Sequence, residues 1–188
     1  MDLLIQLTFK ETVAYDLLIA ILTGLLSAGA FFLVLRVFKP KIKICDKITR
    51  IPIKLEDGTD SFKYQFKFYN ATYSNIENVS IDLFLMEDFF HGSGKDYNTK
   101  ELKIAQPSFK FLVGKADKDK EIHNNCVKMT IKEDLESFWN GKREWLHLQI
   151  DSTHSKSGRR KVYVKTFKDP TVSIVNGCFD SGENFNII

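Results

Sequence analysis

The distribution of apolar and polar residues changes at Pro40. Before it, Leu17 to Leu35 is a run of nineteen residues without a charge, LLIAILTGLLSAGAFFLVL, closed by Asp16 and Arg36. At about 1.5 Å per residue this nearly matches the ~30 Å hydrocarbon thickness of a bilayer, and a few flanking residues complete the crossing. The pattern predicts a single transmembrane helix over 16–38. A short mixed segment, 1–15, precedes it and either extends the helix or lies at the outer interface, a level that suits Tyr15. A cleaved signal peptide has a shorter apolar region, about 7–15 residues, with a basic leader and small residues at the cut. Here Asp2, Glu11 and Asp16 face a single Lys10, and bulky Phe31, Phe32, Leu33 and Val34 stand where the cut would fall. The reading is an anchor.

After Pro40 the period becomes two. Lys41-Ile42-Lys43-Ile44 alternates as a half-buried strand does, and Ile51 to Leu55 alternates again around Pro52, before the turn signal Asp57-Gly58. The clearest strand is Phe62 to Phe68. Phe62, Tyr64, Phe66 and Phe68 share one face, and Lys63, Gln65 and Lys67 take the other. Val79 to Leu85 repeats the alternation after a connection over 70–78. Further strands are expected at 102–104, 109–113, 126–131, 145–150, 162–167 and 172–179, with Trp145 in the core. Only Lys132 to Trp139 reads as a helix, with Leu135, Phe138 and Trp139 inward. Short strands at about ten-residue spacing without βαβ alternation predict a mainly β protein. The expected architecture is one transmembrane helix followed by an immunoglobulin-like β-sandwich, or a β-barrel, over 39–188 with one short helix.

Charge adds an orientation. The overall balance of 27 basic and 24 acidic residues is too even to mark a nucleic-acid-coating protein. Locally, however, Arg36, Lys39, Lys41, Lys43, Lys47, Arg50 and Lys54 follow the span against Asp46 alone. The positive-inside rule then puts the N-terminus outside and the C-terminal domain in the cytoplasm, at the cell inner membrane. Arg36, Lys39, Lys41 and Lys43 also suit acidic lipid headgroups. Unpaired Cys45, Cys126 and Cys178 fit a reducing compartment. Two glycosylation triplets, at Asn70 and Asn78, point the other way and are outweighed.

Within the span, Ala20, Gly24 and Ala28 recur every four residues and fall on one helix face, bordered by Thr23 and Ser27. Small residues at this spacing let two helices approach closely, so a homo-oligomer through the helix is one expectation and an ordinary lipid-facing helix the other.

Candidate chemistry is sparse. The stretch Phe90 to Lys95 has a GK-like ending, but Phe89 and Asp96 occupy the positions where a P-loop needs Gly and Ser or Thr. His147 and Asp151 share a strand face roughly 13 Å apart, too far for one metal ion without another element. His154 and His123 add no recognisable spacing. No catalytic residue, metal site or cofactor is expected, and neither is enzymatic activity or duplex nucleic acid as a partner. Lys156, Arg159, Arg160 and Lys161 form a basic turn. It suits a nucleotide, oligonucleotide or lipid headgroup, or is a solvated hairpin whose lysines point out with Val162, Val164 and Thr166 on the other face.

A single span, the basic junction PKIKI and a compact β-domain together resemble the small membrane effectors of bacterial cyclic-nucleotide-type antiphage defence. The resemblance implies a signal-sensing β-domain and membrane disruption by clustered helices. The passage Leu148-Gln149-Ile150-Asp151-Ser152 to Ser157 is similar to a strand-to-loop segment in the cytoplasmic domain of inward-rectifier potassium channels. This sequence lacks the second span, pore helix and filter motif of those channels. The functional expectation is a membrane protein whose cytoplasmic β-domain binds a ligand or protein partner, as an oligomerising defence effector or, alternatively, as a scaffold of the cell envelope.

Overall fold

The computed structural model describes the backbone of residues 2–54, 58–92, 94–117 and 125–188, with side chains in those ranges except at 2–12, 36, 37, 95 and 117. The chain forms two compact units, Met1–Phe38 and Lys39–Ile188.

The first unit is one helix, α1 (Asp2–Val37). Its segment Val13–Leu35 is long and apolar enough to cross a membrane, and none of it is buried. The mixed N-terminal segment continues the helix rather than lying apart from it.

The second unit is mainly β. Its strands are β1 (Ile42–Lys54), β2 (Asp60–Asn70), β3 (Ile76–His91), β4 (Gly94–Glu101), β5 (Ser108–Leu112), β6 (Cys126–Ile131), β7 (Glu144–His154), β8 (Arg160–Phe167) and β9 (Ile174–Asn176). One sheet has the order β6-β2-β1-β9 and the other β4-β3-β7-β8, with β5 also on β3. Among the described residues, β9 is the only strand that runs parallel to its neighbour. The sheets stack as a sandwich and do not close into a barrel. Tyr64, Phe66 and Phe68 of the first sheet meet Ile81, Leu83, Leu146, Leu148 and Ile150 of the second, with Leu135 and Trp139 completing the core. Each fully buried side chain of this size contributes about 1.5–3 kcal/mol of transfer free energy.

Several elements depart from expectation. Pro52 does not break β1, because β9 pairs only with Ile48 to Arg50 and leaves the strand edge bare at Pro52. A proline without an N–H is tolerated at such an edge. Residues 102–104 form no strand; Ile104 makes a single bridge to Ile131. The expected helix at 132–139 is one 3-10 turn, Leu135–Ser137, capped by Asp134. Asp134 also accepts from the Tyr64 hydroxyl at 3.0 Å. Residues 172–179 divide between the short helix α2 (Pro170–Ser173), β9 and a bridge from Phe179 to Ile187.

One face is covered and one face assignment is corrected. Lys67 is wholly buried, because residues 178–188 return over the outer face of the first sheet. Its ammonium donates to Asp180 O at 2.8 Å, and neighbouring Lys128 donates to Phe179 O. Burial pushes the Lys67 pKa down. On β8, Val162 and Val164 face solvent at 43% and 54% exposure, while Phe167 is buried. Tyr163 and Lys165 share the inner parity with Phe167, opposite Ile150 and Leu148. The larger aromatics take the core, and the Tyr163 hydroxyl donates to Pro40 O.

Candidate functional site

Two places carry the residues singled out by the sequence, and a third emerges from the fold. On α1, Ala20, Gly24 and Ala28 are exposed, and a side chain added at Gly24 would meet nothing within 4 Å. The Thr23 hydroxyl donates to Ile19 O of its own helix at 2.7 Å. Ser27 is exposed, and the Arg36 side chain lies outside the described set.

The second place is the end of the β unit where the chain enters it. Lys41 N donates to Thr72 Oγ1 at 2.8 Å, and Lys41 O accepts from Ala71 N at 2.7 Å. Gly114 N donates to Asn75 Oδ1 at 2.8 Å, and Ser155 N donates to Asn75 O at 3.2 Å. These bonds gather Lys41, the loop 71–75, the end of β5 and the β7–β8 turn. A side chain at Gly114 would stand 2.3 Å from Tyr73 O, so glycine is needed for this close approach. Asn70 is the hub. Its buried amide donates to Ser74 O, Leu112 O and Val113 O, which removes it from presentation as a glycosylation acceptor.

The four basic residues of the turn do not converge. Lys156 is exposed in the turn and Arg159 is half-buried. Arg160 is committed to Asp151, its Nε 2.6 Å from Oδ2. Lys161 lies over the Tyr163 ring at 4.4 Å. Lys39 and Lys41 are exposed, and Lys43 sits 5.8 Å from the centre of the Tyr69 ring. His154, on the same strand end, is buried, and its Nδ1 accepts from Lys156 N and Ser157 N. Desolvation lowers its pKa, with help from the Lys156 charge. His147 and Asp151 point to the other face of β7, away from it. His123 lies outside the described residues. Among the described residues no group of three His, Cys, Asp or Glu side chains is placed to hold a metal. Among the described residues Cys45, Cys126 and Cys178 form no disulfide, and burial pushes the pKa of Cys45 up.

The third place was not read from the sequence. A cleft of about 390 Å³ opens on the outer side of the second sheet, lined by Asp88, Tyr97, Lys142, Arg143, Trp145 and Lys168 among others. Trp145 is half-buried here rather than in the core, and meets Tyr97 edge-to-face with ring centres 5.7 Å apart. Its parity with His147 and Gln149, against buried Leu146, Leu148 and Ile150, is the signal that places it outward. Glu144 is held by Asn140 N at 3.1 Å, which fixes the turn carrying Lys142 and Arg143. The cleft thus offers aromatic surface with cations on its rim, a combination that binds by stacking, cation–π contact and ion pairing.

No protein-family model matches the chain, and no curated protein matches it in sequence.

Proposed function

We propose that this is a single-pass membrane protein, N-terminus outside, whose cytoplasmic β unit binds a ligand or protein partner. The observation that carries the reading is α1: its segment Val13–Leu35 is long and apolar enough to cross a membrane, with no charge after Asp16, and none of it is buried. A helix without a polar face needs an apolar surrounding, and none of this one is buried. Orientation rests on the lysine and arginine excess that follows the helix. Binding rests on the open cleft at Trp145, since a half-buried Trp beside exposed Tyr97 and Arg143 is the composition of an interaction site rather than of inert surface.

Membrane fractionation tests the anchor. The full chain should stay in the pellet after alkaline carbonate extraction, and a C-terminal tag should resist protease added outside intact cells. Release by carbonate, or digestion of the tag, defeats the reading. For binding, a photo-crosslinking residue in place of Trp145 should capture a discrete product in cells. The same residue in place of exposed Lys54 should not.

The Ala20, Gly24 and Ala28 stripe favours a more specific form, in which helices associate and disturb the bilayer as a defence effector does. That form predicts toxicity on overexpression that Gly24→Leu relieves. The scaffold form predicts no toxicity and a copurifying partner.

A further inference from the structure

We infer that the end of the β unit where the chain enters is a docking surface for anionic lipid headgroups, built jointly by Lys39, Lys41, Lys156 and Tyr73. The inference rests on the membrane anchor proposed above and adds what the anchored domain rests against. The sequence separates these residues widely, and the fold brings them together. Lys41 is bonded to the loop that carries Tyr73, and the same loop holds the turn of Lys156 through Asn75 O and Ser155 N.

The charges at this end differ from several others on the unit. Arg50, Lys100, Lys115 and Arg160 each have a carboxylate partner, in Glu136, Glu133, Glu183 and Asp151. Among the described residues Lys39, Lys41 and Lys156 form no ion pair, and all three are exposed. Lys115 lies at this end but is answered by Glu183, and among the described residues Glu77 is an exposed acid nearby, at the start of β3. Tyr73 stands out at 77% exposure, with Asn70 and Gly114 locking the loop beneath it. An aromatic ring with a polar tip among unpaired lysines suits the headgroup level, where tyrosine partitions and each cation adds roughly fivefold to the attraction for an acidic surface. Two strands of evidence therefore converge. The chain enters here from the apolar helix with only residues 38–40 between, and the surface at that point has the charge and ring chemistry of a bilayer interface.

The test uses the full chain reconstituted in vesicles of phosphatidylcholine alone or with phosphatidylserine added. Amide hydrogen exchange is followed in residues 71–75 and 155–159. Phosphatidylserine should slow exchange in both loops several-fold at low salt while leaving 94–101 unchanged, and high salt should remove the protection. Lys41→Glu with Lys156→Glu should abolish it; Lys54→Glu with Lys132→Glu, the same charge change at two exposed sites away from this end, should not. Equal exchange on both vesicles overturns the docking surface while the anchor stands. Equal protection by inorganic phosphate on neutral vesicles also overturns it, in favour of a simple anion site. Failure to float with either vesicle overturns the anchor and the inference together.

Discussion

Over the outer side of the first sheet, residues 178–188 fold back as a hairpin closed by Cys178 and Ile188. Phe179 is buried beneath it, Phe185 packs on Tyr69, and Lys67 is sealed in. The second sheet shows its outer side to solvent, with Val162, Val164, Tyr97 and the edge of Trp145 uncovered. Both sheets contribute the same kind of apolar layer to the shared core, so the difference lies wholly in what was done with the second face. One was turned into a second, smaller core at the cost of burying an ammonium. The other was left as surface, with its apolar side chains open to solvent.

The sharpest way to break this comparison is Phe179→Ala. A buried Phe truncated in a packed layer should cost about 3–5 kcal/mol in urea unfolding. A loss below about 1 kcal/mol would mean that the returning segment merely rests on the sheet. Lys67→Met comes next. It strands Asp180 O while removing a buried charge, so a net loss of about 1–2 kcal/mol is expected. A gain would show that the ammonium is a cost which the hairpin tolerates.

His154 sharpens the comparison from the open sheet. Its pKa is lowered on folding, so the unfolded chain binds its proton first as pH falls. Stability should be complete above the ordinary histidine value of about 6.5 and decline below it toward the depressed folded value. His154→Asn keeps an acceptor for the turn and should flatten that acid limb of the urea midpoint. The smallest effects belong to the open face. Trp145→Ala should cost less than Phe179→Ala, about 1 kcal/mol, and Val164→Thr should stay within about 0.5 kcal/mol. If Trp145→Ala matched Phe179→Ala, the open face would be structural and the contrast would vanish.

The strength of each signal in the sequence tracks what it depends on. FKYQFKF stated its strand and its core face, because four aromatics on one parity leave no alternative. The covered position of Lys67 was not legible there, since it depends on residues more than a hundred positions later. Those residues, CFDSGENFNII, have no regular period. KVYVKTF was ambiguous in itself: both parities hold apolar residues, and ring volume rather than hydrophobicity decided which went inward. Strand β4, GKDYNTKE, carries no alternation and exists because β3 offers its long edge as a template. The cleft was partly legible. The parity of Trp145 was on the page, but the meeting with Tyr97 and Lys168 required the sheet order.

Strand β3 has a consequence of scale. It starts at Ile76, beside His154 at the basic end, and runs sixteen residues to His91, next to exposed Phe89 and Phe90. At about 3.3 Å per residue that is roughly 50 Å, while the Debye length in physiological salt is about 8 Å. The field of the lysines has decayed entirely before it reaches the hairpin tip. Ionic strength is therefore a selective handle on the docking inferred above: added salt should loosen that contact, while the hairpin tip lies beyond the reach of those lysines.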